Sequence, residues 1–205
     1  MQFEALLALT NLISTGDSVQ DKFETEKGVS AVHYQMFSDN LLVRRAATEV
    51  FCNMPQHEAL LKYLRQPDKL RLWLAFCEDW NNETDPAECF KTACASSGTL
   101  AVAVSDEQTM RAVIAENGVS SVVALLDSHR DELVHRALVM LENMLAHEGA
   151  LQCEVAEHLV NGGIVPALST IISSSTSSSS LAPLAREIAV QLSTAMKRVV
   201  DAQNG

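Results

Sequence analysis

Apolar residues recur along most of this chain at the i, i+3, i+4, i+7 spacing of an amphipathic helix. The opening run Phe3-Glu4-Ala5-Leu6-Leu7-Ala8-Leu9-Thr10-Asn11-Leu12 already shows it. The pattern predicts five long helices, over residues 3–12, 43–54, 87–104, 133–146 and 184–200. Eight shorter ones fall between them, at 18–26, 29–37, 56–65, 69–77, 107–116, 119–126, 151–160 and 164–172. The punctuation agrees. Glu26-Lys27-Gly28, Glu116-Asn117-Gly118 and Asn161-Gly162-Gly163 each end one helix just before the next, and glycine tolerates the left-handed conformation of a sharp corner. Pro166 fits the first turn of a helix, where its missing N–H does no harm, and Pro55, Pro67, Pro86 and Pro183 fall in joints.

The pattern also repeats. Gly28-Val29-Ser30 returns 90 residues later as Gly118-Val119-Ser120, and Asn53-Met54 and His57-Glu58 return at the same offset as Asn143-Met144 and His147-Glu148. Asn11 precedes Asn53 by 42 residues, and Gly118 precedes Gly163 by 45. That period lies within the roughly 40–47 residues of HEAT and armadillo units. The expectation is an all-α, right-handed armadillo-repeat superhelical solenoid of about four to five repeats, one domain over residues 1–205, whose long helices are the third helices of successive units. Two segments depart from the repeat. Residues 78–88 are acidic and read as a loop running into a helix N-terminus, where Asp85 and Glu88 favour the dipole. The Ser-rich joint at 173–183 has no apolar surface to bury and reads as a mobile linker loop. The helix at 3–12 has no earlier helix to cover it. Leu6, Leu9 and Leu12 are therefore expected to be partly exposed, on an edge that self-associates.

Composition narrows the function. Fifteen Lys and Arg against 26 Asp and Glu give a formal charge of −11, which argues against nucleic acid and anionic membrane as partners. Apolar residues make up 47%, enough for a core, while only 5% are aromatic, which favours helices over a β-sandwich. The sequence has no run of 18 apolar residues that would cross a membrane, and its first residues lack the basic start of a targeting segment. The five cysteines, Cys52, Cys77, Cys89, Cys94 and Cys153, are odd in number and show no Cys-x-x-Cys pair. They point to free thiols in a reducing compartment, the cytoplasm.

No Gly-x-Ser-x-Gly, phosphate-cradling glycine loop or His-Glu-x-x-His is present, so the chain reads as a non-enzyme without metal or cofactor. Cys89 and Cys94, five apart, point to different faces of a helix, and Trp73 and Phe76 read as core. The informative polar residues are Asn11, Asn53 and Asn143, in one slot near the ends of successive long helices. Glu4 and Arg136, seven residues earlier, and Glu49, four earlier, share the helix face with them. An amide donates and accepts at once. It suits contact with the backbone of an extended client, and equally a brace to the neighbouring repeat. In the diverged middle repeat the slot falls on Ser97 or Gly98.

Three stretches carry a resemblance: the opening run from Phe3 to Leu12, Glu26-Lys27-Gly28-Val29-Ser30, and Arg44-Arg45-Ala46-Ala47-Thr48-Glu49-Val50-Phe51-Cys52-Asn53. With Trp73-Leu74-Ala75-Phe76-Cys77-Glu78-Asp79, Glu83-Thr84 and residues 93–101 in register, they resemble the UCS domain of the animal myosin chaperones, in its C-terminal part. The resemblance implies an armadillo fold, a myosin heavy-chain motor domain as partner, and a concave groove lined by third helices. Asn11, Asn53, Asn143, Glu4, Glu49 and Arg136 would line that groove, which changes polarity from acidic to basic along its length. Family members dock Hsp90 through a tetratricopeptide domain that lies outside this sequence, so Hsp90 docking does not carry over. The alternative is a generic armadillo adaptor that binds an extended basic segment, suggested by the charge of −11.

Overall fold

The computed structural model describes residues 1–173 and 181–203. Among those residues it has thirteen α-helices and no strand. They are α1 (Gln2–Ile13), α2 (Asp17–Thr25), α3 (Gly28–Gln35), α4 (Leu41–Phe51), α5 (Glu58–Leu64), α6 (Pro67–Glu78) and α7 (Pro86–Ala103), followed by α8 (Glu107–Ala115), α9 (Gly118–Leu126), α10 (Asp131–Leu145), α11 (Ala150–Asn161), α12 (Ile164–Ser173) and α13 (Leu181–Gln203). Each predicted segment corresponds to one of these, with ends moved by a few residues. Caps explain several boundaries. Asn40 accepts from the Leu42 amide, Asp85 from Glu88 and Asp106 from Thr109, while Pro67 and Pro86 occupy first turns. Pro183 lies inside the first turn of α13 rather than in a joint, and Ser173 closes α12, so the joint is shorter at both ends than 173–183. The serine tract itself, residues 174–180, lies outside the described residues.

Four three-helix units, α2–α4, α5–α7, α8–α10 and α11–α13, follow the leading helix α1. The long helices α1, α4, α7, α10 and α13 pack side by side in chain order, and behind them α6, α9 and α12 form a second row. The core fills the space between the rows. Trp73, Phe51, Leu70, Leu100 and Leu133 are fully buried there. The chain is thus an α-solenoid in which each unit packs against its neighbours and the two helix rows cover each other. Few as they are, the aromatics cluster: Phe51 stacks on Tyr63 and meets Trp73 edge-on, each with centroids 5.7 Å apart. No single helix among the described residues is long and apolar enough to cross a membrane. All five cysteines are free, and burial pushes the Cys77 and Cys94 thiols up to about 12, which keeps them protonated and unreactive.

Two local expectations are corrected. The left-handed residue at the α2–α3 and α8–α9 corners is not the glycine but its predecessor, Lys27 or Asn117, each at φ 60°; only Gly163, at φ 90°, takes the conformation itself. Gly118 is needed for closeness instead. A Cβ there would sit 2.8 Å from the Val113 carbonyl oxygen and 3.2 Å from Leu74 of the preceding unit. On α1, Leu6 is buried at 6% exposure, Leu9 is half-buried, and Leu7 and Leu12 are the exposed leucines. Leu6 turns in against the next unit, because α1 and α4 pack face to face. The 78–88 segment is held by Asn82, which donates to the Asp79 carboxylate at 2.8 Å and accepts from the Thr84 amide.

Gly118→Ala is expected to lower unfolding stability by about 1–3 kcal/mol, the usual cost of forcing atoms into a filled site. Denaturant melts of the two proteins check this, and an unchanged midpoint would show that the corner has slack.

Candidate functional site

The predicted site residues all belong to the row of third helices, and the structure shows what each one touches. Asn53 lies just past the end of α4 and donates its Nδ2–H to the Thr10 carbonyl on α1, at 3.0 Å. Asn143 on α10 does the same to Ala101 on α7, at 2.7 Å. Arg136 donates from Nη1 to the Cys94 carbonyl on α7 and from Nη2 to Glu132, the latter at 2.7 Å. Gly98 makes room for it, since a side chain there would collide with the guanidinium. Cys52 adds a thiol bond to the Ala95 carbonyl, also on α7, at 3.5 Å.

Two of the three asparagines therefore brace the preceding repeat with their donor edge. No bond from a described residue reaches the Oδ1 of either one, and both residues are half-buried. Asn11, the same slot on α1, is exposed, and its amide has no partner among the described residues. Glu4 is exposed as well, 2.6 Å from the Met1 amino group. The expected slot in the middle repeat is also corrected. Asn53 bonds to the residue just before Asn11, so the equivalent position on α7 follows Ala101 and is Val102, a turn beyond Ser97 and Gly98. Ser97 instead donates to Ala93 in its own helix, at 2.6 Å.

The acidic-to-basic gradient expected from Glu4, Glu49 and Arg136 is largely cancelled by local pairing. Glu49 accepts from Arg45 at 3.1 Å, and Arg136 is held by Glu132. Arg45 is the centre of a network that sequence reasoning missed. Its Nε lies 2.6 Å from Glu88 Oε2 on α7, its guanidinium sits 5.6 Å from the Phe3 ring on α1, and Lys91 reaches the other Glu88 oxygen at 2.8 Å. The Nε–Oε2 contact lies off the N–H axis, so it is an ion pair rather than an aligned hydrogen bond. The side chains of Arg45 and Glu88 are only 15% and 10% exposed, so this pair, with the Phe3 contact, ties three third helices in a place largely shut off from water. The sequence holds the signal: Arg45 and Glu88 lie one repeat apart, and the helix dipole is not the whole role of Glu88. Among the described residues no group of three or more His, Cys, Asp or Glu side chains is placed to hold a metal ion.

These contacts set expected stabilities. Asn53→Ala removes a brace worth about 0.5–1.5 kcal/mol and should lower the melting temperature by a few degrees, at roughly 2–4 °C per kcal/mol for a chain of this size. Asn11→Ala should leave it unchanged. Arg45→Ala strands a largely buried carboxylate and should cost more, about 3 kcal/mol, the low end for a broken buried pair because Lys91 remains. Thermal melts of the three variants check the order, and equal effects of Asn11→Ala and Asn53→Ala would contradict the brace.

No family model matches the chain. Protein unc-45 homolog B of Xenopus laevis is 30% identical over 177 residues, covering 82% of this chain and 18% of that protein. The Homo sapiens protein of the same name is 27% identical over 172 residues, covering 82% and 17%. Among solved structures, UNC-45 from Drosophila melanogaster matches with a TM-score of 0.76 at 28% identity, over 97% of this chain and 24% of that one. A designed armadillo repeat protein in complex with the peptide (KR)4 shares the fold, with a TM-score of 0.56 at 14% identity over 92% of each chain. The chain spans less than a fifth of the curated relatives it matches. Similarity over 82% of its sequence and a matching solenoid over 97% of its length make this chain a homologue of the UNC-45 proteins, equivalent to an armadillo-like segment of them.

Proposed function

We propose that this segment is a single armadillo-repeat domain, the C-terminal part of the UCS-type domain of a cytoplasmic, myosin-directed chaperone. It engages the myosin motor domain across its row of third helices and assists folding and assembly of that client. The observation that carries the reading is the match to UNC-45 proteins over 82% of the sequence. The contacts in the row support a division of labour within each asparagine. The donor edges of Asn53 and Asn143 brace the stack, and their Oδ1 atoms, which accept no bond from a described residue, serve as acceptors for client backbone N–H groups. Asn11 offers both edges and Glu4 its carboxylate, while Glu49 and Arg136, each 28% exposed, reach the client from within their ion pairs.

One observation favours the second reading, an adaptor for an extended basic segment. An open cleft of about 560 Å³ beside Asn53 is lined by Asp17, Asp21 and Glu58. Asp17 has no ion pair among the described residues, whereas Asp21 pairs with His57 at 3.1 Å and Glu58 with Arg65 at 3.3 Å, so a lysine or arginine side chain would bind Asp17 and compete for the other two.

Binding of this chain to a purified myosin motor domain, followed across a salt series, separates the two. The chaperone reading expects saturable binding that changes little with salt, because Glu4, Glu49 and Arg136 already have ion-pair partners. It also expects Asn11→Ala to weaken binding about two- to twelve-fold, the equivalent of one lost hydrogen bond of about 0.5–1.5 kcal/mol, at an unchanged melting temperature. A motor domain that does not bind, together with a Lys/Arg-rich peptide whose binding collapses with salt, would replace it with the adaptor.

A further inference from the structure

On the other side of the solenoid, α2, α3, α5 and α6 line an open pocket of about 310 Å³. Lys27, Lys62 and Lys69 line it, in a chain whose formal charge is −11. Lys69 is 2.8 Å from the exposed Asp68, and Lys62 is 3.9 Å from the exposed Glu58. Lys27 has no ion pair among the described residues, and Glu24 is the one described carboxylate on the wall. The first turn of α3 opens onto the same space through Val29 and Ser30, and no side chain caps it. Its free amides add partial positive charge.

His33 gives the pocket a directed donor. The residue is only 8% exposed, yet it lines the cavity. Its Nδ1 lies 2.7 Å from the Tyr63 hydroxyl. That hydroxyl accepts from Trp73 Nε1–H at 3.4 Å, and its other neighbour is the Met36 sulfur at 3.8 Å, a weak acceptor. The Tyr63 proton therefore goes to His33 Nδ1. Burial, reinforced by the nearby Lys69 charge, holds His33 below its ordinary value, so the ring is neutral near pH 7. Burial also pushes Tyr63 up to about 12, so its hydroxyl keeps its proton. A neutral imidazole that accepts at Nδ1 carries its hydrogen on Nε2. No described residue accepts from Nε2. The chain Trp73 to Tyr63 to His33 thus aligns three donors, and the last is left for a ligand.

We propose that this pocket binds a phosphoryl group, held by the Nε2–H of His33 and by the ammonium groups of Lys27, Lys62 and Lys69. The ligand must be acceptor-only and multiply charged to use all four groups; a single carboxylate would leave two lysines unanswered. Tyr34, 72% exposed on the wall, offers an aromatic surface to whatever carries the phosphoryl group.

Nuclear magnetic resonance of the histidine rings in the full chain tests this, titrating sodium phosphate against sodium chloride of equal ionic strength. A phosphoserine peptide and its unphosphorylated counterpart form the second arm. The expected result is a saturable shift of the His33 signal with phosphate and not with chloride. Lys62→Gln and Lys69→Gln should each weaken it about fivefold, the factor supplied by one partly exposed charge pair. Both lysines are at the surface, so these variants keep the test valid even if His33→Phe fails to fold. A phosphopeptide that binds more tightly than phosphate identifies a phosphorylated side chain as the carrier, and equal binding identifies free phosphate. Equal shifts with chloride, equal binding of the unphosphorylated peptide, or unweakened binding by the Lys62→Gln, Lys69→Gln double variant would overturn the proposal.

Discussion

One contact, repeated at one period, holds the order of this molecule: a side chain on one unit bonds to the unit before it. Asn53 reaches Thr10 across 43 residues, and Arg136 and Asn143 reach Cys94 and Ala101 across 42. The outer helices follow the same rule, with Ser121 donating to Glu78 at 2.6 Å and Arg111 pairing with Glu154 at 2.8 Å, both 43 residues apart. Apolar burial supplies most of the energy of stacking, but it is non-directional and by itself selects no particular pair of atoms. A half-buried amide that donates across the seam resists sliding, because its donor would lose its carbonyl. Packing therefore makes the units adhere, and these bonds fix where they adhere.

Arg45 and Glu88 extend the same logic to charge. A largely buried ion pair adds little net stability over an apolar pair of the same shape, but breaking it is costly. Its value here is in register: Arg45 lies near the Phe3 ring on α1, along Glu49 on its own helix and against Glu88 on α7, so it fits one alignment of three helices. Within the row, Arg45, Glu49, Glu88 and Lys91 neutralise one another as a result. A surface with its charges paired in this way selects a partner by shape and hydrogen bonding more than by charge, in contrast with the lysine-lined pocket behind it.

Much of this was legible from the residues. Apolar spacing located every described helix, and the identities at 42, 45 and 90 residues revealed the repeat. The misplaced slot on α7 has a simple cause. Offsets between identical residues measure an average repeat, whereas α7 has 18 residues against 11 for α4, so the slot on α7 lies further along than counting indicated. The corner glycines were legible as corners, but whether Gly118 takes a left-handed turn or admits Val113 and Leu74 depends on which residue turns the chain, and Asn117 does. An asparagine repeated on successive helices has the same signature whether its partner is a client or the next helix. Only the distance from Asn53 to Thr10 shows that one edge is taken.

The spacing of the braces also sets how the molecule would yield to a mechanical load. Bonds such as Asn143 to Ala101 cross between adjacent third helices rather than running along them, so tension applied through the two chain ends peels one unit from the next instead of shearing all rows at once. The work is then done in parcels. Each released stretch of about 43 residues extends to roughly 150 Å, at 3.3–3.6 Å per residue, before the next brace takes the load. A solenoid built this way is a sequential fuse: it lengthens in steps, and the units beyond the break keep their shape.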